Sequence, residues 1–529
     1  MQCSLAKYIC LSCFILFSYL QADWTSSVDL SVVGQDAINA QVAIDPAGNA
    51  TTVWSRFDGA NFIIQASTKP FGGSWQPTPD NLSIAGQEAI KPQIAVDRLG
   101  NATAVWVRFD GSNSIIQAST KPFGGAWQPT PDNLSLTGQD ADVPQIAVDP
   151  KGNATAVWER SNGSNFIIQA STKPFGGSWQ LTPDNLSANG QNANDPQIAV
   201  NPKGNATAVW ERSNGSNFII QASTKPFGRS WQTTPDDLSA NGQDAFVPQI
   251  AVDPKGNATV VWERFDESGN LIIQASSKSR RGSWQPIPDD LSIAGQNADS
   301  PQVAVNCAGN ATAVWSRSDG SSFIIQASTK PFKGSWQATP DNLSSPGQSA
   351  ITPQVTEDCA GNATAVWSRS DGSNFIIQAS TKPFKGSWQA TPDDLSISGE
   401  NASNPQVATD PVGNVIVTVW QRSNGTNQII QAAEKITPSA PTHFRGTLAR
   451  RLHYTKKWLL RAVWKPSQST GVTYYRVYKG SKLVDIISPD AKLQYTDHLK
   501  LKRSAKKFKV AAVNAQNQES ARKRLKIED

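Results

Sequence analysis

The sequence predicts an all-β chain: an eight-bladed β-propeller closed by an N-terminal strand, followed by a small β-sandwich. Three observations carry that prediction. Trp54, Trp106, Trp158, Trp210, Trp262, Trp315, Trp367 and Trp420 recur at intervals of 52 or 53 residues, each inside a variant of Asn-Ala-Thr-Ala-Val-Trp-x-Arg, and a fixed period of that length marks a repeat array. Turn residues divide each copy into four extended runs. A second set, Trp75, Trp127, Trp179, Trp231, Trp284, Trp336 and Trp388, stops one short of eight. The missing member is Trp24, at the other end of the chain.

The elements follow in order. Residues 1–22 read as a secretory signal, with Lys7 ahead of the apolar run Ile9–Leu20 and small or polar Gln21 and Ala22 behind it. Twelve apolar residues fall short of the ~20 needed to cross a bilayer as a helix. No transmembrane anchor is expected. Cys3, Cys10 and Cys13 lie within or before the apolar run, which argues against a lipid-anchored form.

Residues 23–437 form the repeat array. In the copy from Pro144 to Gly190 the extended runs are Gln145–Asp149, Asn153–Arg160, Phe166–Thr172 and Ser178–Leu186. Asp149-Pro150-Lys151-Gly152, Asn162-Gly163 and Pro174-Phe175-Gly176-Gly177 are the turns between them. Along the second run Ala156, Trp158 and Arg160 share one face while Thr155, Val157 and Glu159 share the other. Apolar groups stand on both faces, as they must where each sheet is sandwiched between two neighbours. Trp24 and the segment after it match the fourth run, and the last copy ends after its third, so the N-terminal strand is expected to complete the eighth blade and remove the open edge.

The turn Asp149 to Asn153 leading to Trp158 resembles the Asp-box of sialidase-type blades and the Asp-x-x-Gly-Asn turn of NHL-type blades, over residues 23–437. The resemblance implies the propeller fold and carries no activity with it. Residues 438–529 resemble a fibronectin type III domain through Pro441, Trp464, Tyr474-Tyr475-Arg476-Val477-Tyr478, Tyr495-Thr496-Asp497 and the run Phe508–Asn514. Phe508 stands where that family has its corner tyrosine, and no Arg-Gly-Asp tripeptide is present, so integrin binding is not implied.

Residues 23–437 contain no His, Tyr or Met, which removes a tyrosine nucleophile of the sialidase kind, a histidine base for serine or cysteine, and a zinc site. No cofactor and no metal are expected. A carboxylate pair remains open. The aspartates of the first turn (Asp45, Asp97, Asp149, Asp253, Asp358, Asp410) are replaced by Asn201 and Asn306 in two copies, as suits an Asx-turn and not a general base. Arg56, Arg160 and their counterparts two positions after each tryptophan read as strand-end arginines that stack or pair locally, with a ring of anion sites as the alternative. Gln169 and its counterparts read as satisfying buried polar groups between blades. Cys307 and Cys359 occupy one position in adjacent copies; facing sheets lie about 10 Å apart, beyond the ~7 Å Cα limit of a disulfide, so two free thiols are expected.

The copies differ most in the loop that leads from the fourth strand into the next inner strand. Its residues should ring the central opening, and the ligand-binding candidates are Asn39, Lys91, Asp142, Asp195, Phe246, Asp299, Thr352 and Asn404, with simple drift in exposed loops as the alternative. Charge is polarised along the chain. Residues 438–529 hold 21 Lys or Arg against 6 Asp or Glu, a balance of +15, and residues 23–437 hold 26 against 37, a balance of −11. Lys500, Lys502, Arg503, Lys506, Lys507, Arg522, Lys523 and Arg524 are the polyanion-binding candidates.

The sequence therefore points to an exported, non-catalytic binding or adhesion protein, secreted or held in the cell envelope. Its propeller would take a carbohydrate or a surface protein and its basic domain would dock to an anionic surface. The alternatives are a glycan-cleaving enzyme using carboxylates near the channel and a purely structural envelope scaffold.

Overall fold

A computed structural model describes residues 24–437 and, beyond them, 442–450, 458–465, 467, 472–489, 491–499, 502–514, 519–520 and 522–527. The segment expected to be a signal peptide lies outside the described residues. The chain divides into two compact units, one of which is Trp24–Ile436.

That unit contains eight four-stranded antiparallel sheets, the blades of a propeller. Blade three is typical, with strands Ala141–Val148, Ala154–Ser161, Phe166–Lys173 and Asp184–Asn185. The eighth sheet is closed by the N-terminus as expected: Val28 pairs with Ala432 and Asp29 with Gln431. Leu30 N–H donates to the Ile430 carbonyl at 2.8 Å, and Trp24 bridges to Lys435.

The repeated tryptophans explain why the sheets stand against one another. All eight indoles of the second strand are 0% exposed. Each enters the wedge between its own blade and the one before: Trp106 of blade two packs with Val53, Ile64, Ala66 and Leu82 of blade one. Burying a side chain of this size contributes roughly 1.5–3 kcal/mol or more, eight times over. Ion pairs tie the same boundaries, with Lys225 of blade four 3.5 Å from Asp184 of blade three and Lys69 of blade one 2.7 Å from Glu434 of blade eight.

The inner strand of every blade carries a bulge. In blade three the register shifts between Asp142 and Gln145, and Val143 between them has a left-handed φ of 48°. The same conformation recurs at Asn39, Lys91, Asp195, Val247, Ser300, Thr352 and Asn404. Proline follows in seven of the eight copies, where its missing N–H is tolerated because a bulge leaves that position unpaired. A ring of strained non-glycine residues thus sits where the inner strands begin.

Three details differ from the sequence reading. The fourth strand is only two residues long in each complete blade. In blade three, Gln180 N–H still donates to Thr172 O (2.9 Å) and Leu186 N–H to Ile168 O (2.8 Å), but Gln180 Nε2 turns back to Thr182 O at 2.7 Å. Pro183 lacks the N–H needed to continue the ladder, so Trp179 packs from a loop. Gln169 acts within its blade rather than between blades, donating from Nε2 to Asn185 Oδ1 at 2.8 Å.

The third difference is that Cys307 and Cys359 are joined by a disulfide, with Cα atoms 4.6 Å apart. The spacing of flat stacked sheets does not apply to them, because the first turns of adjacent blades converge and touch. A Cβ built at Gly152 would lie 2.8 Å from Asp97 Oδ2 of the preceding blade. The first-turn aspartates themselves serve the turn, as expected: Asp149 Oδ1 accepts from the N–H groups of Lys151 (2.8 Å) and Asn153 (3.0 Å).

The second unit is a β-sandwich. One sheet orders Gln494–Leu499, Trp458–Lys465, Thr442–Arg450 and Lys526–Ile527; the other orders Lys482–Ile487, Val472–Lys479, Phe508–Asn514 and Lys523–Arg524. Leu460, Trp464, Tyr475, Val477, Phe508 and Val510 form its core.

Candidate functional site

The bulge ring surrounds a central cavity of about 510 Å³. Its lining repeats one pattern around the axis: the bulge residue, the proline after it, and the glutamine after that. Of the sequence candidates, Asn39, Lys91, Thr352 and Asn404 line this cavity. In three blades the lining residue is one position further on, Val143, Val247 and Ser300, in place of Asp142, Phe246 and Asp299. The one-residue offset matters because successive side chains of a strand point to opposite faces. Phe246 packs between Phe218 and Phe265, with ring centroids 5.7 and 6.2 Å away.

Asp142 and Asp195 belong instead to an arc of carboxyl groups beside the bulges of blades three to five, built around glutamates that the sequence reading passed over. Glu159, Glu211 and Glu263 each follow the second-strand tryptophan, where the other blades carry Ser, Val or Gln. All three are buried. Each reaches across a blade boundary to a backbone N–H in the next blade's bulge. Asp195 N–H donates to Glu159 Oε1 at 2.6 Å and Ser300 N–H to Glu263 Oε1 at 2.7 Å, and Glu211 accepts from Val247 N–H. Gln421 Oε1 does the same for Asn39 N–H at 2.9 Å without any charge. The cap therefore needs only an oxygen acceptor, and the carboxyl groups in blades three to five supply more than the fold requires.

Burial pushes Glu159, Glu211 and Glu263 up to about 7. For Glu159 the neighbouring Asp195 and Asp142 add to the rise, against the Asp195 N–H and Lys91, which lower it. Burial also raises Asp195 and Asp299 above the usual aspartate range. Asp195 is the hub: its N–H holds Glu159, and its carboxyl group is near enough to Glu211 to raise that glutamate further. Glu211 Oε2 is buried and receives no N–H or O–H among the described residues. Lys91 Nζ lies 2.9 and 2.8 Å from the two Asp142 oxygens, an ion pair at the edge of the arc. Three glutamates held up to about 7 thus stand within one arc, where a carboxyl group can still carry a proton near neutral pH.

Two of the arginines that follow the tryptophans turn to local partners, Arg369 to Gln348 and Arg422 to Glu400. In the second unit Lys506, Lys507, Lys523 and Arg524 are exposed. Arg522 is engaged, 3.2 Å from Glu519 and stacked 3.7 Å over the Tyr478 ring. Lys500 and the side chains of Lys502 and Arg503 lie outside the described residues. Among the described residues no helix is long and apolar enough to cross a membrane.

No family model matches the sequence, and no curated protein matches it. Solved structures do. An α-L-arabinanase from Penicillium chrysogenum is 12% identical with a TM-score of 0.37, covering 55% of this chain and 92% of its own. A Hadza microbial sialidase is 12% identical with a TM-score of 0.36, covering 79% and 97%. A polysaccharide lyase is 10% identical with a TM-score of 0.43, covering 68% and 92%. These likenesses concern the fold alone. The expectation of a chain that is not an enzyme is corrected to this extent: the solved structures it resembles in fold are named as glycan-acting enzymes. The chain is an all-β repeat propeller similar to these enzymes in architecture.

Proposed function

We propose that the propeller holds a glycan over its central opening and cleaves it with the carboxyl groups at the boundary of blades three and four. The observation that supports this reading is the Glu159, Asp195 and Glu211 cluster, in which burial raises all three carboxyl groups and Glu211 caps Val247, a residue of the cavity lining. Glu211 gives its proton to the glycosidic oxygen as the bond to the sugar breaks. Asp195 takes a proton from the incoming water, and one water is consumed per bond. The cavity glutamines offer amides to sugar hydroxyls, and Asn39, Lys91, Thr352 and Asn404 orient the chain of sugars. General acid catalysis of this kind contributes about 10²–10⁴-fold.

The test is release of reducing ends from a panel of polysaccharides by the wild type and by Glu211→Gln. Gln421 demonstrates that glutamine makes the same backbone cap, so the variant keeps the fold. A fall of about 10²-fold or more supports the reading, and equal turnover by the two proteins rejects it.

The basic unit, resembling a fibronectin type III domain, serves to dock the exported protein on an anionic surface. Glu519 is occupied by Arg476, Tyr478 and Arg522, which leaves exposed Lys506, Lys507, Lys523 and Arg524 without ion pairs among the described residues. Association with anionic vesicles that weakens as salt rises supports this role, and association indifferent to salt counts against it.

A further inference from the structure

A second kind of cavity repeats at the opposite ends of the strands from the carboxyl arc. Grooves of about 310, 260, 280 and 180 Å³ lie between blades one and two, two and three, three and four, and five and six. Each has the same walls. One side carries an exposed phenylalanine from the later blade, respectively Phe123, Phe175, Phe227 and Phe332. Phe123 is 62% exposed and Phe175 58%. The lining also includes a threonine of the earlier blade, such as Thr51 or Thr103, and a lysine from each blade, Lys69 with Lys121 or Lys278 with Lys330.

The polar content of these grooves is lopsided. The turn aspartates that border them have spent their oxygens on their own turns: Asp97 Oδ1 accepts from Leu99 and Asn101 N–H, and its Oδ2 from Asn101 Nδ2 at 2.7 Å. Lys69 of the first groove is held by Glu434 at 2.7 Å, while the other lysines meet carboxylates at longer range, Lys121 lying 3.6 Å from Asp80 and Lys330 3.7 Å from Asp289. Burial holds Lys173 below the ordinary lysine range and pushes Lys278 down to about 8; Lys173 donates to the Thr120 hydroxyl and Lys278 lies over the Trp284 ring, and an anion in the groove would supply the close negative charge that both lack. What remains is a hydroxyl, an aromatic face, and ammonium donors, one in the first groove and two in each of the others.

An aromatic face accepts the C–H side of a sugar ring, and a pair of ammonium groups selects a carboxylate. We infer that these four interblade grooves are equivalent binding sites for uronic acid units of an acidic glycan. Each site alone is weak, and repetition around the ring converts it into firm attachment to a polymer. The inference is independent of cleavage at the central opening, since the two sets of residues share no member.

Blade five is an internal control. Arg280 occupies the position of the phenylalanine there, so the fold does not require the ring. The experiment is calorimetric titration of the full chain carrying Glu211→Gln, which prevents turnover and leaves the grooves intact. The titrants are digalacturonate and, as the uncharged counterpart, maltose. Digalacturonate is expected to bind with at least four equivalents per chain and maltose at least tenfold more weakly. The quadruple variant F123A/F175A/F227A/F332A, with unchanged Tm, should lose about tenfold in affinity. Binding of a single equivalent, equal binding of maltose, equal binding by the quadruple variant, or no binding overturns the inference. None of those outcomes bears on reducing-end release by the wild type, so this proposal and the cleavage reading fail separately.

Discussion

Replacing Glu211 by glutamine should stabilise the propeller in alkaline solution while abolishing the proposed chemistry. Glu211 is 7% exposed, and burial lifts it from 4.5 to about 7. At about 1.4 kcal/mol for each tenfold change in proton affinity, that displacement corresponds to about 3 kcal/mol. The native state keeps a proton that the unfolded chain has already released. The favourable contribution is therefore complete below about pH 4.5, declines as pH rises, and is gone once pH passes about 7. Glutamine keeps the acceptor for Val247 N–H and never has to ionise. The variant should match the wild type near pH 4.5 and exceed it by about 3 kcal/mol at pH 8. Urea unfolding followed by fluorescence of the buried indoles measures both, provided the slope with denaturant is the same for the two proteins. A variant less stable than the wild type at pH 8, or one with the same pH dependence, would refute the claim that this carboxyl group is held neutral by burial.

Three further outcomes test the frame that carries the site. A chain beginning at residue 35 lacks Leu30 and the Ser31 hydroxyl that accepts from Ile430 N–H at 2.9 Å, and it should melt well below the full chain; identical melting would mean that the eighth blade does not depend on the N-terminus. Trp106→Ala opens a cavity among Val53, Ile64 and Leu82 and should cost about 3–5 kcal/mol by urea unfolding, against less than about 1 kcal/mol if the wedge refills. Cys307→Ser removes a cross-link spanning 52 residues, worth up to about 4 kcal/mol by loop-closure entropy. Its melting temperature should fall to that of the reduced wild type, and a variant that melts like the oxidised protein would contradict a bridge between blades six and seven.

Much of the frame was legible because it depends on counting. Trp54 to Trp420 mark eight copies, and Trp24 against the absent eighth member of the second set marks the closure, without any distance being known. What escaped was set by angles and short-range geometry. The flat-sheet spacing used for Cys307 and Cys359 fails where the first turns of neighbouring blades abut. Pro183 was visible, yet that it ends the ladder beyond Gln180 follows only once Gln180 Nε2 is seen bonding Thr182. The glutamates were visible too: 159, 211 and 263 are the one stretch of successive copies with Glu after the tryptophan. Their meaning depends on the bulge at Asp195, Val247 and Ser300, which turns a backbone N–H toward the preceding blade. The same bulge shifts the cavity lining by one residue, from Asp142, Phe246 and Asp299 to Val143, Val247 and Ser300, an offset that loop comparison cannot resolve.

The most direct measurement on the carboxyl arc is the pH dependence of kcat/KM for glycan cleavage. Loss of a proton from Glu211 with rising pH should give a descending limb near pH 7, and removal of its neighbour by Glu159→Gln should shift that limb. A rate that stays level from pH 5 to 9 would contradict a mechanism in which these side chains carry the proton.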